Sequence, residues 1–304
     1  MPNISKVTAQ INGQSYDLTL NTQTGKYEAV VTAPSKSSFT INDGHYYDVS
    51  VTAADTAGNS TTVNASDSKL GASLKLVVKE KTAPVITIVS PTSGATLTNN
   101  KPAITIEVTD NDSGVDTGTF ALVIDNGTAI EWSAGTAAAI ENGFRWTYTP
   151  SAALSDGEHT IKVEVSDNDG NKAAQKNATV KVDTTPPVLN VSAPTDGLWT
   201  NETSGTVTGT TNDITSSPVT VAIMINGVDQ GTVTVGSDGG FTHTVTYTEG
   251  ENTVVITATD SAGKYSTVER TVNVNTVAPK ITSVVITPNP VNAGSTYTIT
   301  VEVE

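Results

Sequence analysis

The fold is decided by the stretch VSVTAADTAGN (residues 49–59), in which apolar and polar residues alternate before a turn. The same pattern recurs at residues 161–171 and 254–264. Apolar side chains at every second position indicate a strand with one buried face. The glycine in each Asp-x-x-Gly turn supplies a backbone conformation that other residues resist. The repeats therefore predict three long strands, each ending in a tight hairpin.

Proline-bearing junctions separate the repeats. Pro84, Pro187 and Pro279 each follow the last strand of a repeat, and their spacing fits one β-sandwich of about 100 residues. Proline fixes φ and removes a hydrogen-bond donor, which suits the entry to a first strand. The predicted organisation is three modules and a two-strand segment, at residues 1–82, 83–184, 185–276 and 277–304.

These junctions and turns resemble those of bacterial Ig-like domains, which occur in surface adhesins, secreted enzymes and phage tail or capsid appendages. The likeness extends to the matching segments PTSG (residues 91–94) and PTDG (residues 194–197), and it covers nearly the whole chain. It implies an all-β fold of tandem immunoglobulin-like antiparallel β-sandwiches in an extended row. It does not define a ligand, because one fold hosts many functions.

The composition of the chain disfavours some classes of binding partner. The chain has 304 residues, a net charge of −15 and no cysteine, so each module depends on its apolar core without disulfides. An acidic surface disfavours nucleic acid and anionic membranes, and no apolar run is long enough for a membrane span. The chain enters a strand pattern at once, without a signal-peptide segment. We expect an extracellular location, in a virion or at a bacterial cell surface.

The two ends of the chain match different parts of a module. An Asn-Gly turn follows the third strand of the second and third modules, and its match at Asn12-Gly13 predicts that the first module begins at its third strand. Residues 299–303 match residues 104–108, the second strand of the second module. We hypothesise that residues 279–304 of one copy complete the first module of another, head to tail. The predicted interface residues are Val7, Ile11, Tyr297, Ile299, Val301 and Val303. The alternatives are a different subunit of a virion or surface assembly as partner, or a gene-boundary tail without a partner.

Enzyme chemistry has little support in the sequence. There is no cysteine nucleophile, and His45 and His159 occupy similar repeat positions after a turn, which favours packing over catalysis. No cofactor is predicted, with calcium as the one exception considered. Two acidic loops offer oxygen ligands that suit Ca²⁺, through Asp110, Asp112, Asp116, Asp167 and Asp169. We favour turn capping for these residues, because a similar turn recurs at Asp55 and Asp260 without the extra acid.

Trp199 is the best sugar-binding candidate, since it follows Gly197-Leu198 in a predicted loop. Scattered tryptophans more often pack in cores, so a host-surface glycan remains a secondary partner. The sequence favours a non-enzymatic structural or attachment protein, an Ig-like rod of a phage virion (tail or surface appendage) or of an extracellular filament. The alternative is the stalk or glycan-binding region of a bacterial cell-surface adhesin.

Overall fold

The computed structural model describes residues 3–304, so the first two residues of the predicted first module lie outside it. Strands dominate, and the described residues form only two short 3-10 helices, Gly71–Leu74 and Trp132–Ala134. Neither has the length or the apolar character needed to cross a membrane. The predicted all-β fold class is confirmed. Backbone contacts divide the chain into two compact units, one ending at Val182 and the other beginning at Asp183.

The first module, in the described residues 3–82, consists of a single antiparallel sheet in the order β3-β2-β1-β4-β5, with β6 also paired to β4. Its strands are β1 (Ile4–Ile11), β2 (Gln14–Asn21), β3 (Lys26–Glu28), β4 (Tyr47–Asp55), β5 (Ser60–Val63) and β6 (Lys75–Leu76). The alternating stretch forms β4, and Asp55 accepts hydrogen bonds from the N–H groups of Ala57 and Asn59 to close the following turn.

The second module is a sandwich of two sheets, in the orders β11-β10-β14-β15-β8 and β12-β13-β9-β7. Its strands are β7 (Val85–Ser90), β8 (Thr96–Leu97), β9 (Ile104–Thr109), β10 (Val115–Ile124), β11 (Ile130–Glu131), β12 (Thr136–Ile140), β13 (Gly143–Tyr148), β14 (Gly157–Asp167) and β15 (Lys176–Val182). Alternate residues of β9 and β14 point inward and pack with Trp146 and Leu122 in one core. The period-2 pattern is therefore the pattern of burial.

The third module repeats this architecture in the second unit, with sheets ordered β16-β18-β21 and β17-β23-β22-β19-β20. Its strands are β16 (Val188–Ala193), β17 (Leu198–Thr200), β18 (Ser204–Asn212), β19 (Thr220–Ile225), β20 (Val228–Asp229), β21 (Gly240–Thr246), β22 (Gly250–Thr259) and β23 (Tyr265–Val274). Val254, Ile256 and Ala258 of β22 are fully buried in its core.

The chain ends in a separate two-stranded antiparallel sheet made of β24 (Ile281–Thr287) and β25 (Thr298–Val303). We call residues 279–304 the C-terminal hairpin. Its strands pair antiparallel as β7 pairs with β9 and as β16 pairs with β18, which are the first two long strands of the complete sandwiches, separated only by the short β8 and β17. The hairpin thus has the form of the opening of another module.

Candidate functional site

The acidic loops of the second module are capped turns. Asp110 Oδ1 accepts hydrogen bonds from the N–H groups of Asp112 and Gly114, and Asp167 Oδ1 accepts them from Asp169 and Asn171. Such bonds stabilise a loop through a short side chain, as expected for Asx turns. This geometry agrees with the turn interpretation, and Asn171 Nδ2 also donates a hydrogen bond to Asp167 Oδ2.

The three remaining predicted calcium ligands accept hydrogen bonds from different parts of the chain. Asp112 accepts hydrogen bonds from the Ser37 N–H with both carboxylate oxygens, and Asp169 Oδ2 accepts one from the Glu80 N–H. These three hydrogen bonds join the first module to the second within the first unit. Asp116 caps Gly118 at an exposed position. These three carboxylates therefore do not form one cluster with Asp110 and Asp167, and calcium binding at the five residues stays a prediction.

Glu80 is the acidic residue that sequence reasoning missed. One oxygen each from Glu80, Asp110 and Asp167 lies within 4.8 Å of the other two. Burial raises the pKa of Glu80, and the nearby negative charges of Asp110 and Asp112 raise it further, against the hydrogen bonds from Ser113 that lower it. Glu80 lies before the proline junction, far from either loop in sequence, so only its repeat position could have pointed to it.

His159 is buried in the second module and has hydrogen-bond acceptors at both ring nitrogens. Nδ1 faces the Asp125 carboxylate and Nε2 faces the Ser155 carbonyl oxygen. Only the doubly protonated ring donates to both. Burial lowers the pKa of His159, but the hydrogen bonds to Asp125 and Ser155 and the charge of Asp125 outweigh it, so the pKa is raised overall. This is a structural histidine that ties a turn to a strand end.

The raised pKa predicts a pH-dependent stability for the second module. The stabilisation by protonated His159 is fully present below the unfolded-state pKa of about 6.5 and is lost as pH rises through the higher folded-state pKa. We expect Asp125→Asn to remove about 1 kcal/mol at pH 6 and to flatten the decrease in stability from pH 6 to 8. Urea denaturation at several pH values measures both effects. A decrease that persists unchanged in Asp125→Asn would show that another group causes it.

The three tryptophans have different environments. Trp146 is fully buried and donates a hydrogen bond from Nε1 to the Trp132 carbonyl oxygen, with Trp132 partly buried against the same core. Trp199 lies in β17 with 71% of its surface exposed. It is therefore placed at a short edge strand rather than in the predicted loop. Its exposure is compatible with stacking on a ligand, and glycan binding by Trp199 stays a prediction.

The predicted assembly residues lie on two unpaired surfaces. In the first module Val7 is buried and Ile11 is half-buried on the inward face of its single sheet. In the C-terminal hairpin the apolar residues of one face stand directly opposite each other in the pairs Ile299–Ile286, Val301–Val284 and Val303–Ile281. All six are exposed, as is Tyr297.

Comparisons with known proteins agree with this architecture. Residues 90–184 match the family model of the bacterial Ig-like domain, and residues 187–276 match that of glucodextranase, domain B. The sheets and these matches define the second and third modules as tandem Ig-like β-sandwiches. The second module belongs to the bacterial Ig-like domain family.

A curated relative and several solved structures are also similar. Bacillopeptidase F of Bacillus subtilis (strain 168) is 29% identical over 210 residues, which is 69% of this chain but 13% of that protein. An I-band fragment of titin aligns with 14% identity and a TM-score of 0.45, covering 89% of this chain and 88% of the fragment. A 1.5-MDa bacterial ice-binding adhesin aligns with 22% identity and a TM-score of 0.35, covering 90% of this chain and 88% of the solved chain.

Proposed function

We propose that this protein is a non-enzymatic structural and attachment element outside the cell, in which Ig-like modules associate head to tail through strand complementation. The observation that carries the proposal is the pair of matching open surfaces. One is the inward face of the first module's sheet, which we call the open face, and the other is the apolar face of the C-terminal hairpin.

Burial shows how the hairpin face differs from its counterparts. Ile104, Ile106 and Val108 of β9 are 0% exposed because they face the second sheet of their module. In β25 the matching residues Ile299, Val301 and Val303 are 56%, 46% and 59% exposed. Burying a Val or Ile side chain contributes about 1.5–3 kcal/mol, and a lone two-stranded unit is marginally stable in water. The hairpin therefore favours a partner that covers this face.

The apolar residues of the open face are less buried than their counterparts in the complete sandwiches. Val49 and Val51 of β4 are half-buried, whereas Ile161 and Val163 at the same positions of β14 are 2% and 0% exposed. Among the described residues of the first module, only Val7 and Tyr47 are buried apolar side chains. The sheet has the inward pattern of a sandwich without a second layer against it.

An unpaired backbone segment lies next to the open face. In the second module β13 pairs with β9, so the strand before the long repeat strand pairs with the second strand. In the first module the corresponding residues after β3, 29–34, belong to no strand, and Val30 is fully exposed. A free backbone edge accepts another strand through main-chain hydrogen bonds. We therefore expect β25 of a second copy to pair with residues 29–34.

Sedimentation velocity tests the proposal by comparing the intact chain with a variant that ends at residue 278. We expect the intact chain to associate in a concentration-dependent manner, and the shortened chain to be monomeric. Mixing the shortened chain with a separate C-terminal hairpin peptide should raise the melting temperature of the first module. An intact chain that is monomeric and melts like the shortened one would refute complementation. A monomer that is stabilised by its own hairpin would refute the head-to-tail arrangement.

Several observations support a structural role over catalysis. The predicted site carboxylates cap loops or join two modules, and His159 is held in a buried structural hydrogen-bond pair. A rod of such modules suits a phage tail or surface appendage, or an extracellular filament, in which it spaces or presents other parts. The acidic net charge of −15 favours solubility of such a rod.

A second candidate function is an accessory region of a larger secreted or surface protein. The matches to glucodextranase domain B and to Bacillopeptidase F favour it, since both names belong to hydrolases. In that setting, or in the stalk of an adhesin, the exposed Trp199 would contact a glycan. Glycan-array binding that is lost in Trp199→Ala would support this candidate. Association in sedimentation without any glycan binding would favour the structural element.

A further inference from the structure

Three buried carboxylates meet within the second unit. Asp183, Asp213 and Asp260 are 0%, 8% and 6% exposed, and one oxygen from each lies within 4.8 Å of the other two. Asp183 follows the last strand of the second module, Asp213 follows β18, and Asp260 follows β22. They come from three separate stretches of the chain, so the fold alone brings them together.

Each carboxylate uses one oxygen to hold its own loop. Asp183 Oδ1 accepts a hydrogen bond from the Thr185 N–H. Asp213 Oδ1 accepts from Thr215 and Ser216, and Asp260 Oδ1 accepts from Ala262 and Lys264. These hydrogen bonds occupy the Oδ1 atom of each of the three carboxylates. The loops thereby fix the three side chains in place and leave their second oxygens to other partners.

The second oxygens of Asp183 and Asp260 are not satisfied by the protein. Within the described residues, Asp183 Oδ2 and Asp260 Oδ2 are buried and have no hydrogen-bond partner. The hydroxyl of Ser216, a residue that is 0% exposed and whose N–H binds Asp213, is also buried without a partner. Buried polar atoms are paired in the great majority of cases, so the two unpaired carboxylate oxygens of this cluster indicate a ligand that the polypeptide does not supply, and the unpaired Ser216 hydroxyl belongs to a residue bound to Asp213.

The negative charges of the three buried carboxylates indicate which kind of ligand they bind. A buried carboxylate without a counter-charge is costly, and three together repel one another. A cation offsets both effects. The ligand atoms that the fold brings together here are carboxylate oxygens, which suit a hard cation, and Ca²⁺ takes oxygens at about 2.3–2.6 Å. Oxygens on opposite sides of such a shell are about 4.8 Å apart, so the three carboxylate oxygens fit around one ion.

Glu80 of the first module and two loops of the second module form a similar cluster, in which Asp167 Oδ2 accepts a hydrogen bond from Asn171 Nδ2. Glu80, Asp110 and Asp167 occupy the equivalent places before the proline junction, after the second strand and at the start of the hairpin turn. Ser113, three residues after Asp110 as Ser216 is after Asp213, also has a buried hydroxyl without a partner among the described residues. The three acidic residues and the serine recur in both clusters. Capping a loop does not need this set, because Asp55 closes its turn without two further acidic residues or such a serine.

We propose that Asp183, Asp213 and Asp260 bind a divalent cation of the Ca²⁺ class, with Ser216 or water completing the shell. The site locks the segment between β15 and β16 to the two loops that follow β18 and β22. This proposal is independent of strand complementation, because neither the open face nor the C-terminal hairpin contributes a ligand.

Calorimetry on the full chain tests the site. Protein stripped with EDTA should melt at a lower temperature than protein with millimolar Ca²⁺, since a ligand that binds only the folded state stabilises it. Titration calorimetry should give two sites if the Glu80 cluster also binds. In Asp260→Asn we expect one site fewer, or a weakening of the second-unit site by at least about tenfold, because affinity follows ligand charge.

The apo protein supplies a signature that loop capping would not produce. Asparagine keeps the Oδ1 acceptor but removes the charge, so in EDTA Asp260→Asn should melt at a higher temperature than the parent. Asp55→Asn is the matched control: hydrogen bonds from Asn59 and Ala57 hold the pKa of Asp55 below its usual value, so this variant should be slightly less stable with or without Ca²⁺.

Three results would overturn the proposal. They are the absence of any heat of Ca²⁺ binding to the parent protein, an unchanged number and affinity of sites in Asp260→Asn, or a lower melting temperature of that variant in EDTA. Asp183→Asn serves as the second variant should Asp260→Asn fail to fold, with the same expected loss of one site. A Mg²⁺ titration with equal affinity would redefine the ion as any hard divalent cation and leaves the ligands as assigned.

Discussion

Replacing Trp146 by alanine is expected to lower the free energy of unfolding of the second module by about 3–5 kcal/mol. Trp146 is 0% exposed and lies at the centre of an aromatic group with Phe120, Trp132 and Tyr148. Its removal leaves a cavity, loses those ring contacts and abolishes the 2.8 Å hydrogen bond from Nε1 to the Trp132 carbonyl oxygen. A module without disulfides has few other sources of stability, so the variant should be close to unfolding at 37 °C.

Trp199→Ala is the matched control for this substitution. The same side chain is removed, but Trp199 is 71% exposed, so the free energy of unfolding should change by no more than about 0.5 kcal/mol. Urea denaturation followed by tryptophan fluorescence and circular dichroism measures both variants. Equal losses in the two variants would mean that Trp146 does not carry the core of its sandwich.

Substituting Val301 by aspartate is expected to abolish head-to-tail association. In the proposed complex this side chain takes the place of Ile106, which is fully buried in the second module. An unpaired carboxylate there costs about 3 kcal/mol or more, which weakens the association constant by over about 100-fold. The exposed hairpin itself has no such burial to lose, so the melting transitions of the second and third modules should not change.

Thr300→Asp is the control for charge alone. Thr300 stands opposite Val285 on the other face of the C-terminal hairpin, and its counterpart Thr105 is only half-buried. It adds the same negative charge to a chain that is already acidic, but it should leave association within a few-fold of the parent. Sedimentation velocity across a concentration series compares the two variants. Equal inhibition by both would indicate general repulsion rather than docking of the apolar face.

The candidate sites show where sequence reasoning succeeds and where it stops. The period of 2 in residues 49–55, 161–167 and 254–260 correctly predicted long strands, and in the second and third of them one face is buried, whereas residues 49–55 are half-buried on both faces. The Asp-x-x-Gly pattern correctly predicted tight turns. The predicted calcium set, by contrast, grouped Asp112 with Asp110 because they are neighbours in one loop. In the structure Asp112 binds the backbone of the first module, whereas Asp110 meets Glu80 from a distant segment.

Trp199 illustrates a related limit. Glycine and leucine before it suggested a loop, but the segment Leu198–Thr200 pairs in parallel with β23 as a short edge strand. Pairing with a strand more than seventy residues away leaves no local signal in three residues. The predicted exposure of the side chain agrees with the structure, although the loop from which it was predicted is a strand.

The amino-acid sequence by itself determined the modular β-sandwich architecture, since alternation, turn glycines and junction prolines are local and each repeats along the chain. It also indicated the match between residues 299–303 and an internal strand, because repeats can be aligned without a structure. Only the tertiary structure decided which carboxylates meet and how deeply each apolar residue is buried. Those properties depend on contacts between segments that are far apart in the chain, and periodicity carries no information on them.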